Sequence, residues 1–215
     1  MQHYLYLAVD FFSLFFPFVF SFYPKAPYYK KWESLFPAIL LTGIIFIAWD
    51  IFFTRMGVWG FNPKYVCGIY LFNLPLEEVL FFVCIPYSCV FTYEAVNYFS
   101  KRKIINDRWT QFISDALIFF LLLTGTLNHE RWYTSVTSFA TAVFLILLRR
   151  VWKVEFLNNF YFSYLFTLVP FFIVNGILTG TGLEEAVVWY NNSQNLGIRL
   201  GTIPVEDTLS TIKQK

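Results

Sequence analysis

Residues 68–80 read Gly-Ile-Tyr-Leu-Phe-Asn-Leu-Pro-Leu-Glu-Glu-Val-Leu, and residues 197–209 read Gly-Ile-Arg-Leu-Gly-Thr-Ile-Pro-Val-Glu-Asp-Thr-Leu. Six of the thirteen positions are identical and three more keep their chemistry. An internal repeat is the first guide to architecture. The offset of 129 residues therefore predicts a chain of two related halves, each with an acidic pair just after a proline. The acidic residues are Glu77, Glu78, Glu206 and Asp207.

The composition is that of a membrane protein. Hydrophobic residues make up 57% of the chain and charged residues only 14%, whereas a soluble domain carries about 25% charged residues. Aromatic residues reach 23%, more than a lipid-facing surface needs, so many should line an interior. We expect one integral membrane domain over residues 1–215. The net charge of +2 points to no nucleic-acid partner.

Six segments are long and apolar enough to cross a bilayer, which takes about 20 residues. They predict an all-α fold, a polytopic membrane helix bundle with six spans. The segments are Tyr4–Phe20, Phe36–Phe53, Pro75–Phe99, Gln111–Leu127, Trp132–Leu148 and Leu157–Leu178.

Lys and Arg are concentrated in the loops after spans one, three and five, which contain ten, against four on the opposite side. Because the more basic side of a membrane protein faces the cytoplasm, we expect the N-terminus outside, in the cytoplasmic (inner) membrane. The ten are Lys25, Lys30, Lys31, Lys101, Arg102, Lys103, Arg108, Arg149, Arg150 and Lys153.

The same offset of 129 residues takes Tyr4 to Tyr133, so spans one to three should correspond to spans five to seven. Residues 1–99 then form the first half, 100–131 a connector span and 132–215 the second half. We expect two parallel repeats, related by an axis along the membrane normal. The chain stops soon after the second motif, so the seventh span is expected to be missing.

The acidic pairs have two explanations. Proline at the first helical position and acids in the first turn are ordinary features of a helix start. However, ionisable groups at membrane depth are costly and usually functional, and the repeat can bring four carboxyl groups together. Crowded carboxyl groups in a dry site cannot all ionise, so a proton stays available. We therefore expect a proton donor, a proton relay or a cation site, with Asp50 at a similar depth.

Other acids have simpler explanations. Asp10 and Asp115 lie within spans and could face polar neighbours, and Glu94 could be an interfacial anchor. Glu184 and Glu185 lie in a long outer loop, where a solvated position is expected.

Aromatic residues near the first motif are candidates for substrate binding. A ring that faces a cation stabilises it by about 0.5 to 2 kcal/mol, although interface belts also use such residues. The three cysteines and two histidines have no metal-binding spacing, so no metal is expected. The candidates are Trp49, Trp59, Phe61, Phe81 and Phe82.

Asp50, residues 57–63 and residues 73–82 together resemble the lycopene cyclase domain family, the small membrane-embedded type found as two subunits or a fused chain. The stretch from residues 175–176 to residues 203–208 resembles the other half of that family's domain. The resemblance implies a carotenoid cyclase of the intramolecular lyase or isomerase type. It implies acid-catalysed closure of the linear ends of lycopene to β-ionone rings, giving β-carotene via γ-carotene. The five catalytic candidates are Glu77, Glu78, Glu206, Asp207 and Asp50.

The implied reaction is an isomerisation and needs no redox cofactor, and no Gly-x-Gly-x-x-Gly motif indicates a dinucleotide. The implied partners are the carotenoid, membrane lipid, and a second copy or a partner subunit. Which carboxyl is the acid and which the base stays open, as does an ε-ring or C50 product. The alternatives are a proton- or cation-coupled transporter and a non-catalytic subunit of a carotenoid enzyme.

Overall fold

The structure is a computed structural model and describes residues 2–100 and 105–208. The chain is mostly helical, and these ranges contain six helices long and apolar enough to cross a membrane. The six predicted segments are therefore confirmed as helices that could cross a membrane. The helices are α1 (Leu5–Phe20), α2 (Trp32–Arg55), α3 (Leu76–Ser100), α4 (Asp107–Leu127), α5 (Trp132–Ile146) and α6 (Leu157–Leu178).

Three helices extend by two or more residues beyond their predicted spans, and one of them is α4, which begins at Asp107 instead of Gln111. A short 3₁₀ turn, Tyr28–Lys31, leads into α2 at Trp32, and α5 continues into one π-helical turn, Leu147–Val151. The hydropathy pattern stops at the charged residues, whereas backbone hydrogen bonding continues through them. Helix α3 is central, because α1, α2 and α6 all pack against it, while α4 packs mainly against α5.

Within the described residues, three short antiparallel strand pairs lie in the loops, so the all-α prediction is incomplete. Strands of two or three residues are too short for the alternating pattern that reveals a strand. The pairs are β1 (Trp59–Phe61) with β4 (Val188–Tyr190), β2 (Tyr70–Leu71) with β3 (Leu74–Pro75), and β5 (Arg199–Leu200) with β6 (Ile203–Pro204).

The pairing of β1 with β4 joins two loops that are far apart in the sequence. Gly60 lies opposite Trp189, and a Cβ atom at position 60 would lie 2.4 Å from the Trp189 ring. Glycine at this position leaves room for the Trp189 ring to pack over the strand. The pairing places Trp59 beside Tyr190, where both border the cavity described below.

Some predictions concern residues outside the described ranges. Residues 205–208 are helical, but the chain from Leu209 onward is not described, so the seventh span stays a prediction. Lys101, Arg102 and Lys103, which contribute to the predicted orientation, also lie outside.

Candidate active site

The two motifs form matching hairpins that lead into a helix. In the first motif, residues 68–80, the Leu76 amide donates to the Ile69 carbonyl over 2.8 Å. In the second motif, residues 197–209, the Val205 amide donates to the Ile198 carbonyl over 3.1 Å. Each hairpin thus closes by one backbone bond just before its acidic pair.

The first acid of each pair fixes the loop that precedes its own hairpin. Glu77 Oε1 accepts the Cys67 amide over 2.6 Å, and Glu206 Oε1 accepts the Leu196 amide over 2.8 Å. Thr134 Oγ1 also donates to Glu206 over 2.6 Å. Both carboxyl groups are almost completely buried. The Oε1 atom of each of these carboxyl groups therefore holds backbone in place.

The second acid of the first pair belongs to a different network. The Tyr6 hydroxyl donates to Glu78 Oε2 over 2.5 Å. The carboxyl groups of Glu78 and Asp50 also lie close enough to interact. Two carboxyl groups crowded together in a buried site do not both ionise, so the pair keeps a proton. Asp50 further accepts hydrogen bonds from the Trp59 indole N–H and from Thr54.

The second acid of the second pair, Asp207, is held by two tyrosines. The Tyr133 hydroxyl donates to Oδ1, and the Tyr190 hydroxyl donates to Oδ2 over 2.9 Å. Asp207 lies outside the six spans. Burial raises its pKa to about 7, while the two tyrosine hydrogen bonds act in the opposite direction. Burial also raises the pKa of Tyr190, so its hydroxyl keeps its proton.

Both networks open onto one cavity with a volume of about 120 Å³. Its lining includes the carboxyl-bearing residues Glu78, Asp50 and Asp207, but neither Glu77 nor Glu206. The predicted catalytic set is thus divided: three residues border the cavity and two hold the loops. All five aromatic candidates also border it, namely Trp49, Trp59, Phe61, Phe81 and Phe82.

Sequence reasoning missed the tyrosines that hold the cavity acids, Tyr6, Tyr133 and Tyr190. Tyr6 and Tyr133 lie 72 and 74 residues from the acids they contact. A usable signal was the offset of 129, which already singled out Tyr133 near the start of a span. Tyr190 gave no comparable signal.

The remaining acids mostly occupy peripheral positions. Glu94 pairs with Lys31 over 2.6 Å, and Asp115 pairs with Arg149. Glu184 is largely exposed and pairs with Lys64 over 3.0 Å. Asp10 differs: it is buried, and neither carboxyl oxygen receives a hydrogen bond from any described residue. The expectation that Asp10 faces polar neighbours is met by its proximity to Tyr6, Glu77 and Glu78.

The fold and the site define a membrane-embedded helical protein with an aromatic cavity that carries three carboxyl groups. Comparison with known proteins gives the class: the family described as Lycopene cyclase matches residues 3–96 and 130–211. The chain belongs to this lycopene cyclase family. No solved structure matches the chain.

Curated relatives are fungal proteins named bifunctional lycopene cyclase/phytoene synthase. The relative from Aspergillus niger is 28% identical over 107 residues, which are 46% of this chain and 18% of that protein. The relative from Pyrenophora tritici-repentis is 27% identical over 110 residues, 47% of this chain and 18% of that protein. The aligned part of this chain thus spans under a fifth of the length of these relatives.

Proposed function

We propose that the chain is a lycopene cyclase that closes the linear ends of lycopene to β-ionone rings, with β-carotene formed via γ-carotene. The observation that carries this proposal is the shared cavity, where Glu78, Asp50 and Asp207 meet a largely aromatic wall. The family match and the names of the fungal relatives support it.

The reaction requires an acid, a cavity that tolerates a cation, and a base. A proton adds to the terminal alkene of the substrate and leaves a tertiary cation. The electrons of a nearby double bond then attack this cation and close a six-membered ring. Loss of a neighbouring proton from the ring restores a double bond, so substrate and product are isomers. One proton enters and one leaves, and no oxidant or reductant is needed.

In our proposal the acid is the Glu78–Asp50 pair. Its carboxyl contact retains one proton at the cavity wall. The Trp59 indole and the Tyr6 hydroxyl hold the pair from either side. A donor that is already oriented needs little rearrangement when the alkene arrives.

The base is Asp207 in the same proposal. It accepts two tyrosine hydrogen bonds, which stabilise its carboxylate form. A pKa near 7 also suits a general base that works near neutral pH. Aromatic faces between the two acids would stabilise the cation while it exists. Tyr133 and Trp59 lie there, with ring centroids 5.1 Å apart.

We further propose that the two halves are parallel repeats, with both motifs on the outer side of the cytoplasmic membrane and the N-terminus outside. The matching hairpin bonds and the matching roles of Glu77 and Glu206 support the repeat. The family match has two blocks, separated by residues 97–129. The names of the fungal relatives also suggest that a phytoene synthase, attached or separate, works in the same pathway as this chain.

The test is expression of this chain in a bacterial host that accumulates lycopene, followed by chromatography of the pigments. We expect monocyclic and bicyclic products from the chain as given and unchanged lycopene from Glu78→Gln. The matched control is Glu184→Gln, because Glu184 is an outer-loop acid with an 83% exposed side chain. Unchanged lycopene from the parent chain, with the protein present in the membrane, would refute the proposed function.

A further inference from the structure

The acid-bearing cavity adjoins a second, smaller space between α3 and α6, with a volume of about 50 Å³. The two spaces share Ile85, Phe171 and Asn175 in their linings. Because they adjoin along the same two helices, we describe them together as the α3–α6 groove. Its outer part is the cavity of Glu78, and its inner part reaches Thr92 and Thr167.

The helical spacing of the lining residues supports a single continuous groove. On α3 the lining positions are three or four residues apart, so they lie on one face of the helix. They are Glu78, Phe81, Phe82, Ile85, Ser88, Cys89 and Thr92. At 1.5 Å rise per residue, the groove extends about 21 Å along α3 from Glu78 to Thr92. The facing stripe on α6 follows the same spacing from Thr167 to Leu178.

The two parts of the groove have different linings. The outer part is largely aromatic, whereas Phe171 is the one aromatic residue in the lining of the inner part. Small side chains replace the aromatics there, in a chain that is 23% aromatic. The inner part is also the smaller of the two, with a volume of about 50 Å³ against about 120 Å³ for the outer part. The small residues are Ser13, Ser88, Cys89, Thr92 and Thr167.

The inner hydroxyl groups are already bonded to their own helices. Ser88 donates to the Cys84 carbonyl over 2.7 Å, Thr92 to the Ser88 carbonyl over 2.8 Å, and Thr167 to the Ser163 carbonyl over 3.2 Å. Such back-bonding satisfies the hydroxyl within the helix. These side chains then offer mainly methyl and methylene groups to the groove, which makes it apolar.

We propose that the inner α3–α6 groove binds the straight polyene chain of the substrate while the reacting end group occupies the outer cavity. This inference rests on the proposed function and adds where the non-reacting part of the substrate lies. A conjugated chain is thin, straight and apolar, which matches the inner part, while the end group that folds into a ring needs the wider outer part. The groove thereby presents one end of the substrate at a time to Glu78.

A second cavity at the other end of α3 does not belong to this groove. Phe91, Glu94, Ala95 and Tyr98 line it and lie on a different face of α3. It shares no lining residue with the cavity of Glu78. Its position against the Lys31–Glu94 ion pair gives no reason to assign the polyene to it.

The test measures lycopene that stays bound to the protein, independently of conversion. Full-length Glu78→Gln protein is purified in mild detergent from a lycopene-producing host, and bound lycopene per protein is read from the absorbance ratio. In this background Ser88 is changed to Ala, Leu and Phe. We expect bound lycopene to fall with side-chain size, by about tenfold or more for Ser88→Phe, because an overfilled groove excludes the chain.

The matched control is Val83→Phe, which adds a ring to an exposed position of the same helix. We expect its bound lycopene to stay within about twofold of the parent, which is less than 0.5 kcal/mol. Size-exclusion profiles establish that each variant is folded. If Ser88→Phe fails to fold, Ser88→Leu and Thr92→Phe carry the same test.

Equal lycopene retention across the folded Ser88 series would overturn the groove. Loss of bound phospholipid at constant lycopene would also overturn it, since the occupant would then be a lipid acyl chain. The conversion assay on the parent chain separates this inference from the proposed function. Retention that depends on Ser88 without any conversion would support the groove and refute the cyclase. Conversion together with lycopene retention that does not depend on Ser88 would support the cyclase and refute the groove.

Discussion

The two motif hairpins share a starting glycine (Gly68, Gly197) and a backbone-holding acid (Glu77, Glu206), which we call the frame. They differ at the cavity. In both, a glycine with positive φ starts the hairpin, Gly68 at 85° and Gly197 at 72°. In both, the first acid accepts the amide of the residue before that glycine. The second acids differ: Glu78 contacts one tyrosine and another carboxyl group, whereas Asp207 contacts two tyrosines.

In our proposal, this difference separates the part of the repeat that serves the fold from the part that serves the chemistry. The frame is kept where it holds backbone, because a lost backbone partner in either half would cost stability. The proposed roles explain why the surroundings of the second acids diverge, since an acid and a base need opposite environments. One repeated motif can thereby supply both partners of a proton-transfer reaction.

We expect the largest effect from neutralising the acid at Glu78, which tests whether the second acids have different roles. We expect Glu78→Gln to lower the initial rate of lycopene conversion by about 100-fold or more, since general acid catalysis typically contributes 10²–10⁴-fold. The amide keeps the size of the side chain and loses its acidic proton. Pigment chromatography over a time course gives the rate. A folded Glu78→Gln protein within tenfold of the parent would contradict the assigned acid.

The counterpart in the second half is Asp207→Asn, for which we expect a loss of about 100-fold, the lower end of what general acid–base catalysis contributes. The pH dependence sharpens this prediction. With a raised pKa of about 7, Asp207 is protonated at lower pH and cannot accept a proton. The parent rate in isolated membranes should therefore fall as the pH drops below about 7. Asp207→Asn should lack that fall, and an unchanged low-pH limb would exclude Asp207 as the base.

Substitutions of Glu77 and Glu206, the acids of the frame, should lower the free energy of unfolding more than the conversion rate. Glu77→Ala leaves the Cys67 amide without its partner, which costs about 1–3 kcal/mol for a buried donor. Glu77→Gln keeps an acceptor oxygen and should be milder. Thermal unfolding in detergent should rank the melting temperatures as parent, then Gln, then Ala. Equal melting temperatures for Gln and Ala would show that the amide contact does not hold the loop.

The smallest expected effect concerns one position of the hairpin turn. Phe72 has φ 57° and the equivalent Gly201 has φ 67°. A non-glycine residue in this conformation costs about 1–2 kcal/mol, and Phe72 is 86% exposed. We expect Phe72→Gly to raise the melting temperature slightly and Gly201→Ala to lower it. A lower melting temperature for Phe72→Gly than for the parent would mean that Phe72 contributes a contact outside the hairpin that offsets its strain.

Local patterns predicted the spans and much of the site. Hydropathy located the six helices, and proximity in sequence to the first motif placed Trp49, Trp59 and Phe82 around the cavity. Those signals work because they depend on neighbours along the chain. The short strand pairs carry no such signal, since each spans only two or three residues.

The division between the two acids of each pair could not be predicted. Glu77 and Glu78 are adjacent and chemically alike, and consecutive residues on a helix point about 100° apart. Which of them faces the cavity depends on the packing of α1, which brings Tyr6 to Glu78 across 72 residues. The contact of Asp207 with Tyr133 spans 74 residues in the same way. Such long-range packing is not visible in one sequence.

The most direct test of the account compares four variants of the acidic pairs in one lycopene-conversion assay, normalised to folded protein in the membrane. The variants are Glu77→Gln, Glu78→Gln, Glu206→Gln and Asp207→Asn. We predict that Glu78→Gln and Asp207→Asn lose lycopene conversion. The conversion rates of Glu77→Gln and Glu206→Gln should stay within about tenfold of the parent rate. Loss of conversion in folded Glu77→Gln equal to that in Glu78→Gln would contradict the division between frame acids and cavity acids.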